Sequence, residues 1–240
     1  MKAWILDTET TGLVDPHMTE LAYSIIYIDE NGIRVIQEPR SKRFNPCKPI
    51  ALGSMATSHI TDEDVANEPP HTDFKLPASV GYLVGHNIDF DMQVLRNAGI
   101  THAPKLICTQ AMAQRLLPEL DSHKLVALLY YFHHDYAHKY AKKAHAAVWD
   151  IEFTAIVLQS LIKLANSNGE NIVDMESLYQ FSEIARIPLY MPFKKYKGKT
   201  ITDLAIEDPK YLQWVVNNVT NNDYLVKACQ QALLNKGEPK

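Results

Sequence analysis

The N-terminal part of the chain alternates short apolar runs with polar turns, and this pattern predicts strands. Residues 3–8 are mostly apolar, and a Thr-Thr-Gly turn follows them. Residues 20–28 are rich in β-branched and aromatic side chains, and 33–38 alternate apolar with polar positions. The Asp-Glu-Asn-Gly sequence at 29–32 is typical of a hairpin turn. We therefore expect three consecutive strands joined as a meander.

Strand and helix patterns alternate in the middle of the chain. The short apolar runs 82–85 and 107–109 are each followed by a segment with helical periodicity. The strongest amphipathic segment, 150–162, has a continuous apolar stripe. The histidine- and lysine-rich stretch 133–145 favours a solvated loop and helix start over a transition-metal site, because its histidines lack ligand spacing. The pattern predicts an α/β fold.

The end of the chain is set apart by composition. Residues 166–171 read Asn-Ser-Asn-Gly-Glu-Asn, which is typical of a linker. We therefore expect a main domain over 1–165 and a small C-terminal module over 172–240. Within the module, a hairpin is expected at 192–199, followed by helix.

Composition and charge limit the classes of protein. Of the 240 residues, 46% are hydrophobic and 22% are charged, as in ordinary soluble proteins, and the net charge is -4, so any nucleic-acid surface must be local. Lys2 precedes a strand pattern unlike a signal peptide, and no apolar run approaches the roughly 20 residues of a membrane span. Cys47, Cys108 and Cys229 are far apart, which favours neither disulfides nor zinc. We expect a cytoplasmic protein without membrane contact.

Two carboxylates lie at the end of the first predicted strand. Asp7 and Glu9 are two positions apart, so in a strand both side chains point to the same face, roughly 6.5 to 7 Å apart along the chain. Two neighbouring negative charges are unfavourable unless one is protonated or a cation lies between them. On this stretch alone, metal binding and an ordinary polar turn are equally good interpretations.

Two more carboxylates follow predicted helix starts. Asp91 lies in the first turn of the helix after the strand 82–85, and Asp150 begins the strongest helix. Four converging carboxylates favour two divalent ions, and oxygen ligands alone favour Mg²⁺ or Mn²⁺. A histidine suits the role of base at such a site. On a continuous helix His145 would be rotated about 140° from Asp150, so we expect it in a preceding loop.

Three short motifs carry a resemblance to a known family. Their sequences are Asp7-Thr8-Glu9-Thr10-Thr11-Gly12, His86-Asn87-x-x-Phe90-Asp91 and His145-x₄-Asp150. Their order and internal spacing resemble the exonuclease motifs of the DEDDh family of 3′→5′ exonucleases. That family includes the proofreading subunit of bacterial DNA polymerase III, ribonuclease T and oligoribonuclease. Ala146 stands where a sister subclass has tyrosine, which places the chain on the histidine branch.

The resemblance implies a ribonuclease H-like fold, a mixed five-stranded sheet flanked by helices. It implies that two Mg²⁺ or Mn²⁺ ions are held by four carboxylates, Asp7, Glu9, Asp91 and Asp150, and that His145 is the general base. It also implies that the terminal nucleotide is bound by Thr10, Gly12, Leu13 and Asn87. Leu13 would wedge against the terminal base; the alternative is that Leu13 belongs to the core.

The C-terminal module carries a second resemblance. The segment 193–199 mixes four lysines with Phe193 and Tyr196, which suits single-stranded nucleic acid or, alternatively, a lysine-protected edge hairpin. With the Asp-Pro-Lys-Tyr-Leu-Gln-Trp sequence at 208–214, it is similar to the C-terminal segment of exodeoxyribonuclease X proteins. Those proteins usually have glycine where Lys194 stands.

The implied function is metal-dependent 3′→5′ hydrolysis of DNA to 5′-mononucleotides, at single strands or frayed 3′ ends of duplexes. One alternative keeps the chemistry but takes RNA as substrate, as in ribonuclease T, because contacts to the 2′-hydroxyl decide that choice. Another alternative is a non-catalytic nucleic-acid-binding module. A homodimer is left open, since some relatives dimerise.

Overall fold

The computed structural model describes residues 2–29, 31–220 and 222–235 and divides the chain into two compact units, Met1–Ser182 and Glu183–Lys240. The first unit is built on one sheet. Its strands are β1 (Lys2–Thr10), β2 (Met18–Asp29), β3 (Gly32–Val35), β4 (Arg40–Arg43), β5 (Val80–Gly85) and β6 (Lys105–Cys108).

The sheet is mixed, with the strand order β3-β2-β1-β5-β6. β1, β5 and β6 run parallel, whereas β2 is antiparallel to β1, β3 and β4. The predicted mixed sheet and the meander of the first three strands are confirmed. The pattern missed β4, which pairs with β2 beyond the five-strand path, because all four of its residues are polar and exposed.

Helices cover the sheet. In the first unit they are α1 (Leu52–Ser58), α2 (Asp62–Val65), α3 (Ile88–Asn97), α4 (Thr109–Leu116), α5 (Leu125–Phe132), α6 (His134–Tyr140) and α7 (Ala147–Ser167), with α8 (Met175–Ala185) running across the division between the units. α7 packs on β1 and β2 through residues that include the fully buried Phe153 and Val157. α3 packs on β1 and β5, in the core cluster that contains Trp4 and Leu6.

Two helix predictions need correction. The stretch 133–145 is mostly helical, as α6 and a 3₁₀ turn at Ala141–Lys143, rather than a solvated loop that leads into a helix start. Ala137 is fully buried, and Tyr136 contacts the ring of Phe153, so this segment packs on α7. α7 itself begins at Ala147, so Asp150 lies in its first turn rather than at its start.

The structure divides the chain after Ser182 rather than at 166–171. α8 belongs with the sheet, because the Cys108 N–H donates to Ser182 Oγ at 2.9 Å and Lys105 Nζ lies 2.6 Å from Glu176 Oε2. The assignment of 1–165 and 172–240 as separate domains stays a prediction. None of the described helices is long and apolar enough to cross a bilayer.

The second unit is a small helical cluster. Its helices α9 (Ile201–Glu207), α10 (Pro209–Asn218) and α11 (Asp223–Leu234) pack around Leu204, Leu212 and Leu225. The predicted hairpin at 192–199 is instead a loop with a 3₁₀ turn at Lys194–Tyr196, closed by an isolated antiparallel bridge between Tyr190 and Thr200.

Gly85 lies where β5 meets α3, and its substitution tests the packing that positions the site. A Cβ there would lie 2.8 Å from Ile88 Cδ1 and 3.2 Å from the Leu6 carbonyl oxygen. We expect Gly85→Ala to lower the free energy of unfolding by about 1 to 3 kcal/mol in urea titrations, because the site is already filled. Gly53→Ala is the matched control, because a Cβ there has no atom within 4 Å. Equal stability of both variants would contradict the close packing.

Candidate active site

The end of β1 places Asp7 and Glu9 on one face of the sheet. They alternate with Thr8, which therefore faces the side of Trp4 and Leu6. Asp150, from the first turn of α7, joins them. One carboxylate oxygen from each of Asp7, Glu9 and Asp150 lies within 4.8 Å of the others. The structure thus brings together three of the four carboxylates that the sequence singled out.

Asp91 reaches the site from α3 and is fixed by the strand between the first two carboxylates. Its Oδ1 accepts hydrogen bonds from the Thr8 N–H at 3.0 Å and from Thr8 Oγ1 at 2.7 Å. Its side chain is buried. Asp91 lies outside the 4.8 Å cluster, yet its charge is the largest charge effect on Asp7. Asp91 therefore lies next to the cluster, and its hydrogen bonds with Thr8 hold it there.

His145 lies in the turn that precedes α7, as the rotation argument required. Its backbone has a φ of 65°, in the left-handed region that few residues other than glycine adopt. Its N–H donates to Asp150 Oδ2 at 3.0 Å, and its side chain is exposed. The hydrogen bond ties the turn to the carboxylate, so His145 and Asp150 are placed together.

The buried carboxylates are held against their electrostatic preference. Burial, then the charges of Asp91, Asp150, Glu9 and Glu20, raise the pKa of Asp7 well above its ordinary value. Burial and the neighbouring carboxylates raise the pKa of Glu9 to about 8, and burial raises that of Asp91 to about 7 against the hydrogen bonds from Thr8. Burial also raises the pKa of Asp150.

Sequence reasoning missed two residues of the site, Glu20 and Thr8. Glu20 pairs directly with Glu9 in the antiparallel register of β1 and β2. Its charge raises the pKa of both Asp7 and Glu9. Both strands were predicted, but their register was not, and register alone brings Glu20 to the site. Thr8 carries no signal apart from its position between two carboxylates.

The turn after β1 forms a braced loop beside the carboxylates. Thr10 Oγ1 donates to the Gly12 carbonyl at 3.1 Å, and the Thr11 N–H donates to the His17 carbonyl at 2.9 Å. Leu13 is 84% exposed, so the alternative that it belongs to the core is wrong. An apolar side chain presented to solvent on a braced loop suits contact with a base.

In the second motif, Asn87 is exposed to solvent, whereas the ring of His86 is held by hydrogen bonds. Asn87 occupies the N-cap position of α3, with a φ of 70° and no capping hydrogen bond from its side chain. His86 Nε2 donates to the His123 carbonyl at 2.9 Å, and its Nδ1 lies 2.9 Å from Thr109 Oγ1. Burial lowers the pKa of His86 to about 4, so the ring is neutral near pH 7. The two contacts of the His86 ring hold the turn that leads to Asp91.

Comparison with known families decides the classification. Residues 4–158 match the family described as Exonuclease, a segment that contains all three motifs. The chain belongs to the exonuclease family. Residues 193–220 match the family described as Exodeoxyribonuclease X-like C-terminal. The resemblance that the motifs carried is therefore confirmed, and it extends into the second unit.

Individual relatives agree with this classification. The chain is 30% identical to Exodeoxyribonuclease 10 of Escherichia coli K12 over 217 residues, 90% of each protein. A solved structure described as Exonuclease X in complex with 5′ overhanging duplex DNA matches with a TM-score of 0.54 and 26% identity, covering 75% of this chain and 99% of that one. E. coli Exonuclease I with a dA16 oligonucleotide has a TM-score of 0.53 and 18% identity, covering 79% and 46%, and shows the shared fold alone.

The carboxylate cluster fits a divalent metal ion. Metal dependence is a property of the exonuclease family. In this chain the clustered donors are all carboxylate oxygens, the ligands of hard cations. The raised pKa values of Asp7 and Glu9 arise from burial and repulsion, and a bound cation offsets the repulsion.

The raised pKa of Glu9, caused first by burial and then by neighbouring carboxylates, predicts an unusual dependence of stability on pH. The pKa of Glu9 is raised, so its contribution to stability is complete below about pH 4.5 and is lost as pH rises through about 8. In chelator, we expect Glu9→Gln to raise the free energy of unfolding at pH 8 by about 1 to 3 kcal/mol over wild type, and to change it little at pH 4.5. Urea titration at both pH values measures this.

Glu38→Gln is the control for that experiment, because Glu38 is exposed. Added Mg²⁺ at pH 8 is expected to stabilise wild type more than Glu9→Gln. Identical pH dependence of wild type and Glu9→Gln would show that folding does not raise the pKa of Glu9.

Proposed function

We propose that this protein is a metal-dependent 3′→5′ exodeoxyribonuclease, which hydrolyses DNA from the 3′ end and releases 5′-mononucleotides. The observation that carries the proposal is the cluster of carboxylate oxygens from Asp7, Glu9 and Asp150 within 4.8 Å of one another. The backbone N–H of His145 is hydrogen-bonded to Asp150. Membership of the exonuclease family supports the reaction type. The relative named Exodeoxyribonuclease 10 supports DNA as substrate.

The metal ligands proposed are Asp7, Glu9, Asp91 and Asp150, holding two Mg²⁺ or Mn²⁺ ions. Such ions, when bound, stabilise the negative charge that develops on the phosphate and make a bound water more acidic. Asp91 has one oxygen engaged by Thr8, which leaves its second oxygen for a ligand role. Thr8 thereby orients Asp91, as partners of metal-ligating carboxylates do.

His145 is proposed as the general base, which accepts a proton from the attacking water. Its exposed ring is accessible to water, and its backbone is fixed through Asp150. The left-handed φ of 65° turns the chain directly before α7. Strained backbone of this kind is held only where surrounding contacts determine it, and it is common at active sites.

The 3′-terminal nucleotide is proposed to bind the loop after β1. Thr10 and Gly12 shape the loop, the exposed Leu13 contacts the terminal base, and Asn87 contacts the backbone. We propose single strands and frayed 3′ ends as substrates, because the terminal base must be unpaired to reach Leu13. The solved structure described as Exonuclease X in complex with 5′ overhanging duplex DNA supports DNA ends as the substrate. A cytoplasmic location and a homodimer stay predictions.

Two substitutions separate metal binding from proton transfer. Asp7→Ala is expected to abolish hydrolysis of single-stranded DNA and to weaken Mg²⁺ or Mn²⁺ binding measured by calorimetry, because it removes a ligand. His145→Ala is expected to keep metal binding and to lower kcat by about 10²- to 10⁴-fold, the usual effect of losing a general base.

His134→Ala is the matched control, an exposed histidine on α6 whose loss is expected to leave kcat unchanged. A rate for His145→Ala equal to that of the control would remove His145 from the mechanism. Full activity of Asp7→Ala would instead refute the carboxylate site.

The choice of sugar is tested with matched substrates. Equal molar amounts of DNA and RNA oligomers of the same sequence, labelled at the 5′ end, are incubated with the protein and Mg²⁺. We expect faster shortening of the DNA strand. Faster loss of RNA would make the protein an exoribonuclease, because contacts to the 2′-hydroxyl are what let a protein distinguish RNA from DNA.

A further inference from the structure

Three aromatic rings of the second unit form a continuous row. Tyr196, in the 3₁₀ turn, meets Tyr211 of α10 edge to face, with ring centroids 4.8 Å apart. Tyr211 is nearly parallel to Trp214, with centroids 5.9 Å apart and planes 25° apart. Trp214 is 40% exposed. We call Tyr196, Tyr211 and Trp214 the aromatic row.

Lysines lie over both ends of the aromatic row. Lys194 Nζ is 4.2 Å from the ring centroid of Trp214, and Lys195 Nζ is 4.4 Å from that of Tyr196. Lys210 is exposed and lies one helical turn before Trp214, on the same side of α10. The surface therefore combines π-faces with positive charge.

The lysines differ in whether an acid neutralises them. Lys195 Nζ lies 3.5 Å from Asp208 Oδ2, and Lys199 is paired with Glu207. Within the described part of the chain, no carboxylate lies within ion-pair distance of Lys194 or Lys197. A purely structural role, in which lysines cover rings, accounts for the paired lysines but not for these two.

Lys194 also has a strained backbone. Its φ is 58°, a left-handed conformation that costs a side-chain-bearing residue energy and that glycine adopts freely. Stability alone would favour glycine here. Residues held in such conformations concentrate at ligand sites. Because stability does not explain a lysine at this position, we infer that its side chain binds a ligand.

Charge is distributed unevenly along the sequence. Residues 183–240 contain nine Lys and Arg against six Asp and Glu, a net charge of +3, whereas residues 1–182 contain 15 against 22, a net charge of -7. The basic excess is thus confined to the part of the chain that carries the aromatic row. Its partner is expected to be an anion with flat apolar faces.

We propose that the aromatic row, with Lys194 and Lys197, is a binding site for single-stranded nucleic acid. A base stacks on Trp214, the exposed ring of the row, and phosphates are attracted to lysines that lack an acid partner. Duplexes hide the faces of their bases, which excludes them as the preferred ligand. The site is made entirely of residues of the second unit, and it rests on no step of the proposed hydrolysis.

A closed circle of single-stranded DNA isolates this site, because a circle has no 3′ end to enter an exonuclease site. The full-length protein is titrated with a fluorescent circle in chelator, and fluorescence anisotropy gives the Kd at several salt concentrations. We expect Trp214→Ala to weaken binding about tenfold through loss of base stacking. We expect Lys194→Gly to weaken binding and to lower the salt slope by about 0.7.

Lys194→Gly relieves backbone strain and is expected to keep or raise the melting temperature. Weaker binding by this variant therefore cannot be attributed to misfolding. Lys227→Ala, an exposed lysine on α11, removes the same charge and is expected to change the Kd less than about twofold. A circle of RNA with the same sequence shows which sugar the site prefers, and dependence on Lys194 and Trp214 is expected for whichever circle binds.

Equal affinity of wild type, Lys194→Gly and Trp214→Ala for both circles would overturn the site. This result is distinguishable from failure of the proposed function. An inactive protein whose circle binding still depends on Lys194 and Trp214 would refute the exonuclease while the site stands. An active enzyme whose circle binding is insensitive to both residues would refute the site alone.

Discussion

Burial of like-charged carboxylates at the end of β1 is the constraint on which the site depends. Asp7, Glu9 and Asp150 bring oxygens within 4.8 Å, and Glu20 adds its charge from the adjacent strand. Burial raises the pKa of each of the three, so the cluster is unfavourable without a cation. The sheet and its helices therefore stabilise an arrangement that the carboxylates themselves disfavour, as is common at active sites.

Two helices deliver carboxylates to the cluster by the same device. α3 begins after Asn87 and α7 begins shortly after His145, and both residues have left-handed backbone. In each helix the fourth residue is the aspartate, Asp91 or Asp150, where the helix dipole favours negative charge. Backbone N–H groups of Thr8 and His145 then bind these aspartates. The hydrogen bonds thus offset part of the cost of burying these two charges, whereas the left-handed backbone adds to that cost.

Sequence patterns predicted the strand and helix content near the site because each element there has a strong apolar period. They predicted that Asp7, Glu9, Asp91 and Asp150 converge because motif spacing fixes which end of an element carries each residue. The structure brings three of these together within 4.8 Å, with Asp91 beside them. Sequence patterns could not predict Glu20, which depends on strand register, or β4, whose residues are all polar. The boundary of the first unit after Ser182 depends on contacts of Ser182 and Glu176 with the sheet, and no local sequence pattern records such contacts.

The most direct test of the central claim is the product ladder from one single-stranded DNA labelled in turn at its 5′ and 3′ ends, with Mg²⁺ and with chelator. With Mg²⁺, the 5′-labelled strand is expected to shorten one nucleotide at a time, and the 3′ label to appear at once as a mononucleotide. With chelator, both strands are expected to stay intact. Shortening from the 5′ end, or an unchanged ladder in chelator, would contradict a metal-dependent 3′→5′ exonuclease.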